Sequence, residues 1–301
     1  MGIRTDITLN EINQLLEGYA ISFVKLEITI DGISDSTYIV SDANGMKYIF
    51  KIYESADTEK LQREIQLLNS LNGLPTPKFL LSMNNIPLYQ NKTIGLFTYL
   101  EGTSLKRLPT LNHIAQIGGF LGTFHKQTEG KSSINPKKFT INQIDEMFQA
   151  LEAFDCDEEI KERFRKCYLL VQDIELKNDG IIHGDLFLDN TKFTDDKLTA
   201  VFDFIEACNG SFLFDLSVIA NSWCFDSTNT FQRSSFESLI ASYEQNFQDK
   251  MEISKLKKSM LFASLFYALR RFTIKYIQKR DVTVKPYDEY LVRFDVILEE
   301  L

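Results

Sequence analysis

Three oxygen-bearing side chains in the second half of the chain, Asp185, Asn190 and Asp203, have types and a spacing suited to phosphoryl transfer. The first two lie five residues apart in an expected loop, and the third follows thirteen residues later, at the end of an apolar run. One carboxylate can hold an acceptor hydroxyl, while an amide oxygen and a second carboxylate hold the Mg²⁺ that neutralises charge on the phosphates. The pattern therefore predicts a kinase active site, with Asp185 as the catalytic residue and Asn190 and Asp203 as metal ligands.

The residues around this trio predict a loop followed by a hairpin. Gly184 permits the tight backbone that a reactive loop position needs. Residues 191–193 and 198–204, separated by a polar turn, predict two paired strands. Because a hairpin returns the chain on itself, we expect Asn190 at its start to lie near Asp203 at its end. The alternative is an ordinary turn and a solvated strand end, but the joint spacing favours a metal site.

Composition limits the classes of protein to which the chain can belong. Its 301 residues suggest two domains or two lobes, and 44% apolar with 25% charged residues is typical of a soluble globular protein. A net charge of −9 argues against nucleic acid or an anionic membrane as the main partner. The four cysteines lack CxxC spacing, the N-terminus lacks a signal pattern, and the longest apolar run is about half a membrane span. We therefore expect a cytoplasmic protein with reduced thiols, and its oligomeric state stays open.

The first hundred residues predict a small α+β lobe. A capping box of Thr8 and Glu11 predicts a short helix from Leu9. Strands are expected near residues 23–30, 36–41 and 47–53. A second helix is expected near 58–71, with Leu61, Ile65 and Leu68 on its inner stripe. We place a nucleotide-binding lobe at residues 1–100 and a catalytic and substrate lobe at residues 101–301.

Lys51 is flanked by large apolar residues in the third of these strands. A lysine in such a position avoids burial unless it is paired, and Glu64 on the following helix is the predicted partner. A strand lysine held by a helix glutamate is the arrangement that kinases aim at nucleotide phosphates. The alternative is an edge-strand lysine and a solvated glutamate.

Two weaker signals concern the nucleotide. The turn at residues 31–36, which contains Ser34, is a candidate to lie over phosphates, although it lacks a GxGxxG pattern. Residues 94–102 predict a strand that ends in a glycine-punctuated connector. Such a connector would join the lobes and face adenine, and Tyr99 is its candidate contact.

The rest of the chain is predicted to be mostly helical. Helices are expected near residues 112–128, 143–154, 158–176, 213–225, 231–247, 254–280 and 286–300. At the end of the first of these, His125 is expected to be packed and hydrogen-bonded rather than catalytic. His113 is expected at the surface.

The loop His183–Asn190 resembles the signature of the aminoglycoside phosphotransferase and choline kinase superfamily. A closer resemblance, to the kinase-like (type II) homoserine kinases, is carried by VFDFIEACN at 201–209, FDL at 214–216 and ANSWCF at 220–225. Those enzymes carry an Asp-Phe-Tyr-x-Ala-Cys run and an Asn-x-Trp-Cys-Phe helix at similar spacing. The resemblance, weak outside these motifs, covers nearly the whole chain. It implies an α+β, protein-kinase-like, two-lobed fold with a small antiparallel-sheet N-lobe and a mostly helical C-lobe.

The same resemblance implies transfer of the γ-phosphate of ATP to the hydroxyl of L-homoserine, with Mg²⁺. ATP is expected between the lobes, with Lys51 held by Glu64 against its phosphates. Asp185 would orient the acceptor hydroxyl. His183 is expected to support the loop, and Asp215 to brace it by accepting backbone N–H bonds.

A homoserine acceptor also needs its carboxylate and its ammonium held. Arg270 is the predicted carboxylate clamp because a guanidinium fork matches a carboxylate bidentately. The alternative for Arg270 is a helix-face arginine paired to a nearby acid. Glu206 or Asn209 is the candidate contact for the ammonium. Trp223 is expected either to wall the acceptor pocket or to pack in the core.

Other functions stay open at this point. The small-molecule acceptor could be an aminoglycoside, choline, ethanolamine or another alcohol, although the basic helix around Lys255–Lys275 favours an acidic or zwitterionic one. A catalytically silent nucleotide-binding regulator is a second alternative, and a purely structural protein gives no reason for the acidic trio.

Overall fold

The computed structural model of this chain describes residues 5–19, 21–29, 35–54, 58–132, 138–280 and 285–301. The fold divides into two units. The first unit combines residues 1–101 with the short segment 200–205, and the second combines residues 102–199 with residues 206–301. Because segment 200–205 contains Asp203, this predicted metal ligand belongs to the first unit.

The first unit is built on a five-stranded antiparallel sheet. Its strands are β1 (Lys25–Ile28), β2 (Ser36–Ser41), β3 (Lys47–Tyr53), β4 (Leu88–Tyr89) and β5 (Lys92–Thr98), in the order β1-β2-β3-β5-β4. Two helices, α1 (Leu9–Leu15) and α2 (Thr58–Ser70), accompany the sheet. The predicted capping box of Thr8 and Glu11 is present at the start of α1.

Strand β3 lies at the centre of the sheet and separates a core face from a polar one. Phe50 and Ile52 are fully buried and share a core with Ile12 of α1. Since successive strand residues point to opposite faces, Lys51 stands on the other face, in register with Thr37 and Gly95 of the neighbouring strands. The alternative of an edge-strand lysine is therefore wrong.

Helix α2 buries the stripe predicted for it. Leu61, Ile65 and Leu68 are completely buried, as their spacing of three and four residues on one helix face requires. Glu64 lies among them and is only 6% exposed. The alternative of a solvated glutamate is wrong as well.

The second unit contains the seven predicted helices, each of which begins within two residues of its predicted start. They are α3 (Leu111–Thr128), α4 (Ile141–Ala153), α5 (Glu158–Val171), α6 (Phe212–Trp223), α7 (Arg233–Phe247), α8 (Ile253–Phe272) and α9 (Asp288–Glu300). The third ends at Val171 rather than at residue 176, and the sixth ends at Phe272 rather than at residue 280 and is followed by a π-helical turn, Thr273–Ile277. Helix α6 is apolar nearly all round and is buried accordingly. In the part of the chain that the structure describes, no helix has both the length and the apolar character to cross a bilayer.

Four short strands complete the fold. Strand β6 (Gly180–Ile182) pairs with β9 (Cys208–Gly210), and β7 (Thr191–Thr194) pairs with β8 (Lys197–Val201). The last strand of this predicted hairpin ends at Val201 rather than at residue 204. It ends there because Asp203 takes a left-handed backbone with φ +68°, after which Phe204–Glu206 form a 3₁₀ turn.

The expectation that His113 lies at the surface is wrong. Its side chain has no exposed surface. As the third residue of α3, it folds back over the helix start, where its Nδ1 accepts a hydrogen bond from the backbone N–H of Thr110 at 3.0 Å. The ring packs against Phe193, and Nε2 lies 2.9 Å from a carboxylate oxygen of Asp196.

Candidate active site

The predicted catalytic loop starts where β6 ends, and its backbone is held by a close contact at Gly184. This residue has φ +77°, a left-handed conformation that favours glycine. A Cβ at this position would lie only 2.6 Å from the ring of Phe139. Both the conformation and the close packing therefore require glycine directly before Asp185.

Asp185 and Asn190 are joined within the second unit by two hydrogen bonds. The side-chain N–H₂ group of Asn190 donates to the backbone carbonyl of Asp185 at 2.7 Å and to its carboxylate at 3.1 Å. Both bonds use the side-chain nitrogen of Asn190. The amide oxygen of Asn190 makes no hydrogen bond with any described residue. The contact fixes the carboxylate of Asp185 and leaves the oxygen of Asn190 available to a ligand.

Asp215, at the start of α6, makes the loop-bracing hydrogen bonds that the sequence predicts. Its carboxylate is fully buried and accepts from the backbone N–H groups of His183 at 2.7 Å and Gly184 at 2.8 Å. Burial raises the pKa of Asp215, but hydrogen bonds and charges from His125, His183 and Gly184 outweigh it, so the pKa is lowered. The ring of His183 is itself buried, and its Nδ1 accepts from the N–H of Asp185 at 3.2 Å.

His125 extends this network as the packed, hydrogen-bonded histidine that the sequence predicts. Its Nε2 lies 3.1 Å from the carboxylate of Asp215, and its Nδ1 lies 2.8 Å from the hydroxyl of Tyr243. Burial lowers the pKa of His125 despite the nearby carboxylate, which favours the neutral ring. A carboxylate only accepts, so Nε2 carries the proton and Nδ1 accepts from the tyrosine hydroxyl.

Two large side chains brace the same loop through its carbonyl groups. Tyr267 on α8 donates its hydroxyl to the carbonyl of Gly184 at 2.9 Å, and Trp223 on α6 donates its indole N–H to the carbonyl of Leu186 at 3.2 Å. Burial and the charge of Asp185 raise the pKa of Tyr267, so the phenol keeps its proton. Trp223 is only 1% exposed and packs in the core. That burial removes it from the candidate contacts of an acceptor.

The first unit gathers Lys51 and two carboxylates. The ammonium of Lys51 lies 3.0 Å from Asp35 and 3.5 Å from Asp203. Burial lowers the pKa of Lys51, but the charges of Asp203, Asp35 and Glu64 outweigh it and raise the pKa, so the side chain stays protonated. Asp203 is one-third exposed, and its positive φ is a backbone strain of the kind that concentrates at functional sites.

The predicted ion pair between Lys51 and Glu64 is replaced by an arrangement through Tyr53. Lys51 holds its ammonium 4.6 Å from the centre of the Tyr53 ring, and the hydroxyl of Tyr53 donates to Glu64 at 3.0 Å. The pair is not direct because Tyr53, two residues further on the same face of β3, stands between the partners. The ammonium of Lys51 instead pairs with one carboxylate oxygen of Asp35. The other oxygen of Asp35 accepts a hydrogen bond from the backbone N–H of Glu54 at 3.1 Å.

Glu64 should therefore contribute a pH-dependent term to stability. Burial raises its pKa from 4.5 to about 7, and the charges of Asp203 and Asp35 add to this effect. Between those values the folded chain binds the proton more tightly than the unfolded chain, so the free energy of unfolding falls as pH rises from 4.5 to about 7. Glu64→Gln removes this term. Between pH 4.5 and about 7, the free energy of unfolding of the variant should therefore fall by up to about 3 kcal/mol less than that of the parent.

Urea titrations at a series of pH values measure this difference. Glu59→Gln is the matched control, because Glu59 lies on the same helix with a side chain that is 76% exposed. Its profile should follow the parent. Parallel profiles for the parent and Glu64→Gln would contradict the raised pKa.

The remaining nucleotide candidates lie in the first unit. Ser34 falls outside the described residues. Tyr99 follows the end of β5, where it is half-buried, and the ammonium of Lys47 lies 5.2 Å from the centre of its ring.

The acceptor candidates lie in the second unit. Arg270 is exposed on α8, three residues after Tyr267, and its guanidinium forms no hydrogen bond or ion pair with any described residue. Its neighbour Arg271, by contrast, pairs with Glu289 at 2.6 Å. Arg270 is thus a cation on the helix that braces the catalytic loop, and no acid among the described residues neutralises it.

Glu206 is the last residue of the 3₁₀ turn after Asp203, and Asn209 follows three residues later. The carboxylate of Glu206 forms an ion pair with Lys138. Asn209 lies on β9, in register with Ile181, and is half-buried. Glu206 is therefore already neutralised by a cation, which the sequence did not predict.

Several of these functional contacts carry no clear signal in the sequence. Asp35, Lys138 and Tyr267 lie far along the chain from their partners and belong to no recognisable motif. The contact of Tyr53 with Lys51 does have a sequence signal, because residues two apart on a strand lie on the same face.

A family model described as the phosphotransferase enzyme family matches residues 27–245, well over half of the chain. The chain belongs to that family, and it is a phosphotransferase that acts on a hydroxyl group. The family resemblance of the loop and of the motifs after it is confirmed.

Individual relatives agree with this assignment. A homoserine kinase of Methylobacterium radiotolerans is 29% identical over 254 residues, which cover 81% of this chain and 78% of the relative. A homoserine kinase of Azorhizobium caulinodans is 25% identical over 311 residues, which cover 97% of this chain and 94% of the relative.

A solved structure supports the fold. An amicoumacin kinase in complex with AMP-PNP, Ca²⁺ and Ami matches with a TM-score of 0.67 and 14% identity over 96% of this chain and 92% of that one. At this identity the likeness shows the fold alone, and it confirms the predicted protein-kinase-like α+β fold.

Proposed function

We propose that this chain is an ATP- and Mg²⁺-dependent kinase that transfers the γ-phosphate to the hydroxyl of L-homoserine, giving O-phospho-L-homoserine in a cytoplasm. The observation that carries the proposal is the Asp185–Asn190 pair. It is a carboxylate fixed by an amide whose oxygen stays available, on a loop braced from both sides. The homoserine kinases that match over most of the chain support the choice of acceptor.

Asp185 is the proposed catalytic residue. Its carboxylate accepts a hydrogen bond from the acceptor hydroxyl and turns the oxygen lone pair toward the γ-phosphorus. Because the transition state of such transfers is loose, the proton moves to Asp185 late, and orientation contributes more than basicity. The bonds from Asn190 and the braces at Gly184 hold the carboxylate for this task.

Asn190 and Asp203 are the proposed Mg²⁺ ligands. Among the residues that the structure describes, no three His, Cys, Asp or Glu side chains group closely enough to hold a metal ion by themselves. An amide oxygen and one carboxylate fit Mg²⁺, which binds through one or two carboxylates together with substrate phosphates. When bound, Mg²⁺ would neutralise the charge that develops on the phosphates.

Lys51 is the proposed contact to the phosphates of ATP. Its ammonium stays charged, and a phosphate oxygen can replace Asp35 or Asp203 as its partner. Tyr53 and Glu64 hold the lysine in position through the ring and the hydroxyl of the tyrosine.

Arg270 is the proposed carboxylate clamp. Its guanidinium has no partner among the described residues, and it lies one helical turn from Tyr267, which touches the catalytic loop. A guanidinium so placed favours an acceptor with a carboxylate over a polycation such as an aminoglycoside.

A panel of acceptors with MgATP tests the proposed function. L-homoserine, choline, ethanolamine and an aminoglycoside are compared by ADP release, and the phosphorylated product is identified by ³¹P NMR. We expect homoserine to give the highest kcat/KM and a phosphomonoester product. Preference for another alcohol would reassign the acceptor, and nucleotide binding without any turnover would favour a silent regulator.

A further inference from the structure

We infer that Lys138 and Glu206 form a paired-charge subsite that recognises a zwitterionic amino acid by exchanging partners with it. In this exchange Glu206 binds the ammonium of the acceptor, and Lys138, released from Glu206, binds the carboxylate of the acceptor. The inference rests on the proposed function and deepens it, since it assigns the groups that select the acceptor.

The first support is the position of the pair beside the catalytic loop. Lys138 and Glu206 are in ion-pair contact with side chains that are 25% and 35% exposed, so a small molecule can reach both. A Cβ built on Gly184 would lie 2.6 Å from the ring of Phe139, the residue after Lys138, and 3.8 Å from the carbonyl oxygen of Glu206. Glu206 and the residue that follows Lys138 therefore lie beside the backbone that directly precedes Asp185.

The second support is the backbone that presents the lysine. Phe139 has φ +59°, which is a strained conformation for a bulky residue and persists only where its surroundings fix it. Here the Phe139 ring stacks on Phe214 with centroids 4.4 Å apart, and its N–H donates to the side chain of Gln143 at 2.7 Å. These contacts hold the strained backbone directly after Lys138, whose side chain pairs with Glu206.

The third support is the balance of charge. An ion pair is neutral, and a zwitterion brings one charge of each sign, so exchange turns one pair into two with no charge left alone. A cation without a carboxylate would displace Lys138 from Glu206 and provide no new partner for Lys138, and an anion without an ammonium would draw Lys138 away and provide no new partner for Glu206. Because only a zwitterion provides a new partner for both side chains, acceptors with a single charge are selected against.

Arg270 fits the same arrangement. It lies three residues after Tyr267 on α8, and residues at that spacing share a helix face. The hydroxyl of Tyr267 donates to the carbonyl of Gly184, so α8 contacts the catalytic loop one helical turn before Arg270. Arg270 and Lys138 then supply two cations for one carboxylate, and Glu206 remains for the ammonium.

Steady-state kinetics of single variants test the exchange with three acceptors. These are L-homoserine, 3-amino-1-propanol, which lacks the carboxylate, and 4-hydroxybutyrate, which lacks the ammonium, each used as substrate or as inhibitor of homoserine turnover. Lys138→Met should lower kcat/KM for homoserine about 10- to 100-fold, mainly through KM, without weakening 3-amino-1-propanol. Glu206→Gln should have a similar effect on homoserine without weakening 4-hydroxybutyrate.

Two further variants serve as controls. Lys126→Met breaks the exposed pair of Lys126 with Glu129, which are 3.1 Å apart near the end of α3, and it should leave every acceptor unchanged. The double variant Lys138→Glu/Glu206→Lys keeps an ion pair and protects the fold if a single variant fails to fold. Because the double variant exchanges the positions of the positive and the negative charge, the ammonium and the carboxylate of homoserine would meet like charges, and homoserine turnover should still be lost.

The outcomes separate the inference from the proposed function. Equal losses for all three acceptors, no loss in the single variants, or parental homoserine turnover in the reversed pair would overturn the exchange while leaving the kinase in place. If the unaltered protein phosphorylates no homoserine, both proposals are overturned.

Discussion

Replacing Asp185 by asparagine should lower kcat for L-homoserine by about 10²–10⁴-fold, or roughly 3–5 kcal/mol of barrier. The amide keeps the shape of the side chain but has only one oxygen, and it cannot take the proton of the hydroxyl. Since Asp185 is bonded to Asn190 and is not proposed to touch the nucleotide, the KM for ATP should change little. Initial rates of ADP release under saturating MgATP measure the effect.

Asp189→Asn is the matched control for this prediction. Asp189 is an exposed carboxylate on the same loop, one residue before Asn190, and it makes no bond to the braces at Gly184. Its kcat should stay within a few-fold of the parent. Equal losses in the two variants would mean that loop charge, and not the Asp185 carboxylate, is responsible.

Replacing Asp203 by alanine should lower kcat/KM by about 10²–10³-fold and also change the response to metal. The concentration of Mg²⁺ needed for half-maximal rate should rise at least about 10-fold, because one of two proposed protein ligands is lost. The variant also frees Lys51 from one of its two acids, although Asp35 remains at 3.0 Å. Rates measured across a series of Mg²⁺ concentrations at fixed ATP check both expectations.

Asp35→Asn separates metal binding from neutralisation of the lysine. Asp35 and Asp203 both face Lys51, but only Asp203 is proposed to bind metal. The Mg²⁺ midpoint of Asp35→Asn should therefore match that of the parent, even if its KM for ATP changes. A midpoint that shifts equally in both variants would contradict the metal role of Asp203.

The sequence predicted the parts of the site that depend on short spacing. The sequence places Asp185 and Asn190 in a single loop, although it does not predict the hydrogen bonds that join them. The buried stripe of α2 is predicted in the same way, because helical spacing places Leu61, Ile65 and Leu68 on one face. The bonds of Asp215 to the loop follow from the resemblance to a family and not from spacing.

Long-range partners were harder to predict because several acids are equally plausible from sequence. Glu64 is on the correct helix and buried, yet Lys51 pairs with Asp35 and Asp203 because a tyrosine ring occupies the space between. The pairing of such charges depends on side-chain volumes on one sheet face, which a pattern of residue types does not encode.

Strained or cap-dependent positions were also missed. Nothing in a run of lysine and phenylalanine predicts that Phe139 takes a positive φ, because bulky residues avoid it. The sequence also gives no sign that His113 is buried, because its role in a capping box depends on the ring folding back over Thr110. Both cases reflect tertiary contacts that override local preference.

The most direct test of the central claim is a crystal structure of the protein with Mg²⁺, a non-hydrolysable ATP analogue and L-homoserine. We expect the amide oxygen of Asn190 and a carboxylate oxygen of Asp203 to bind the same Mg²⁺ at about 2.0–2.1 Å. The homoserine hydroxyl should lie within about 3.2 Å of Asp185. A metal bound by only one of these residues, or a hydroxyl beyond hydrogen-bond reach of Asp185, would contradict the account.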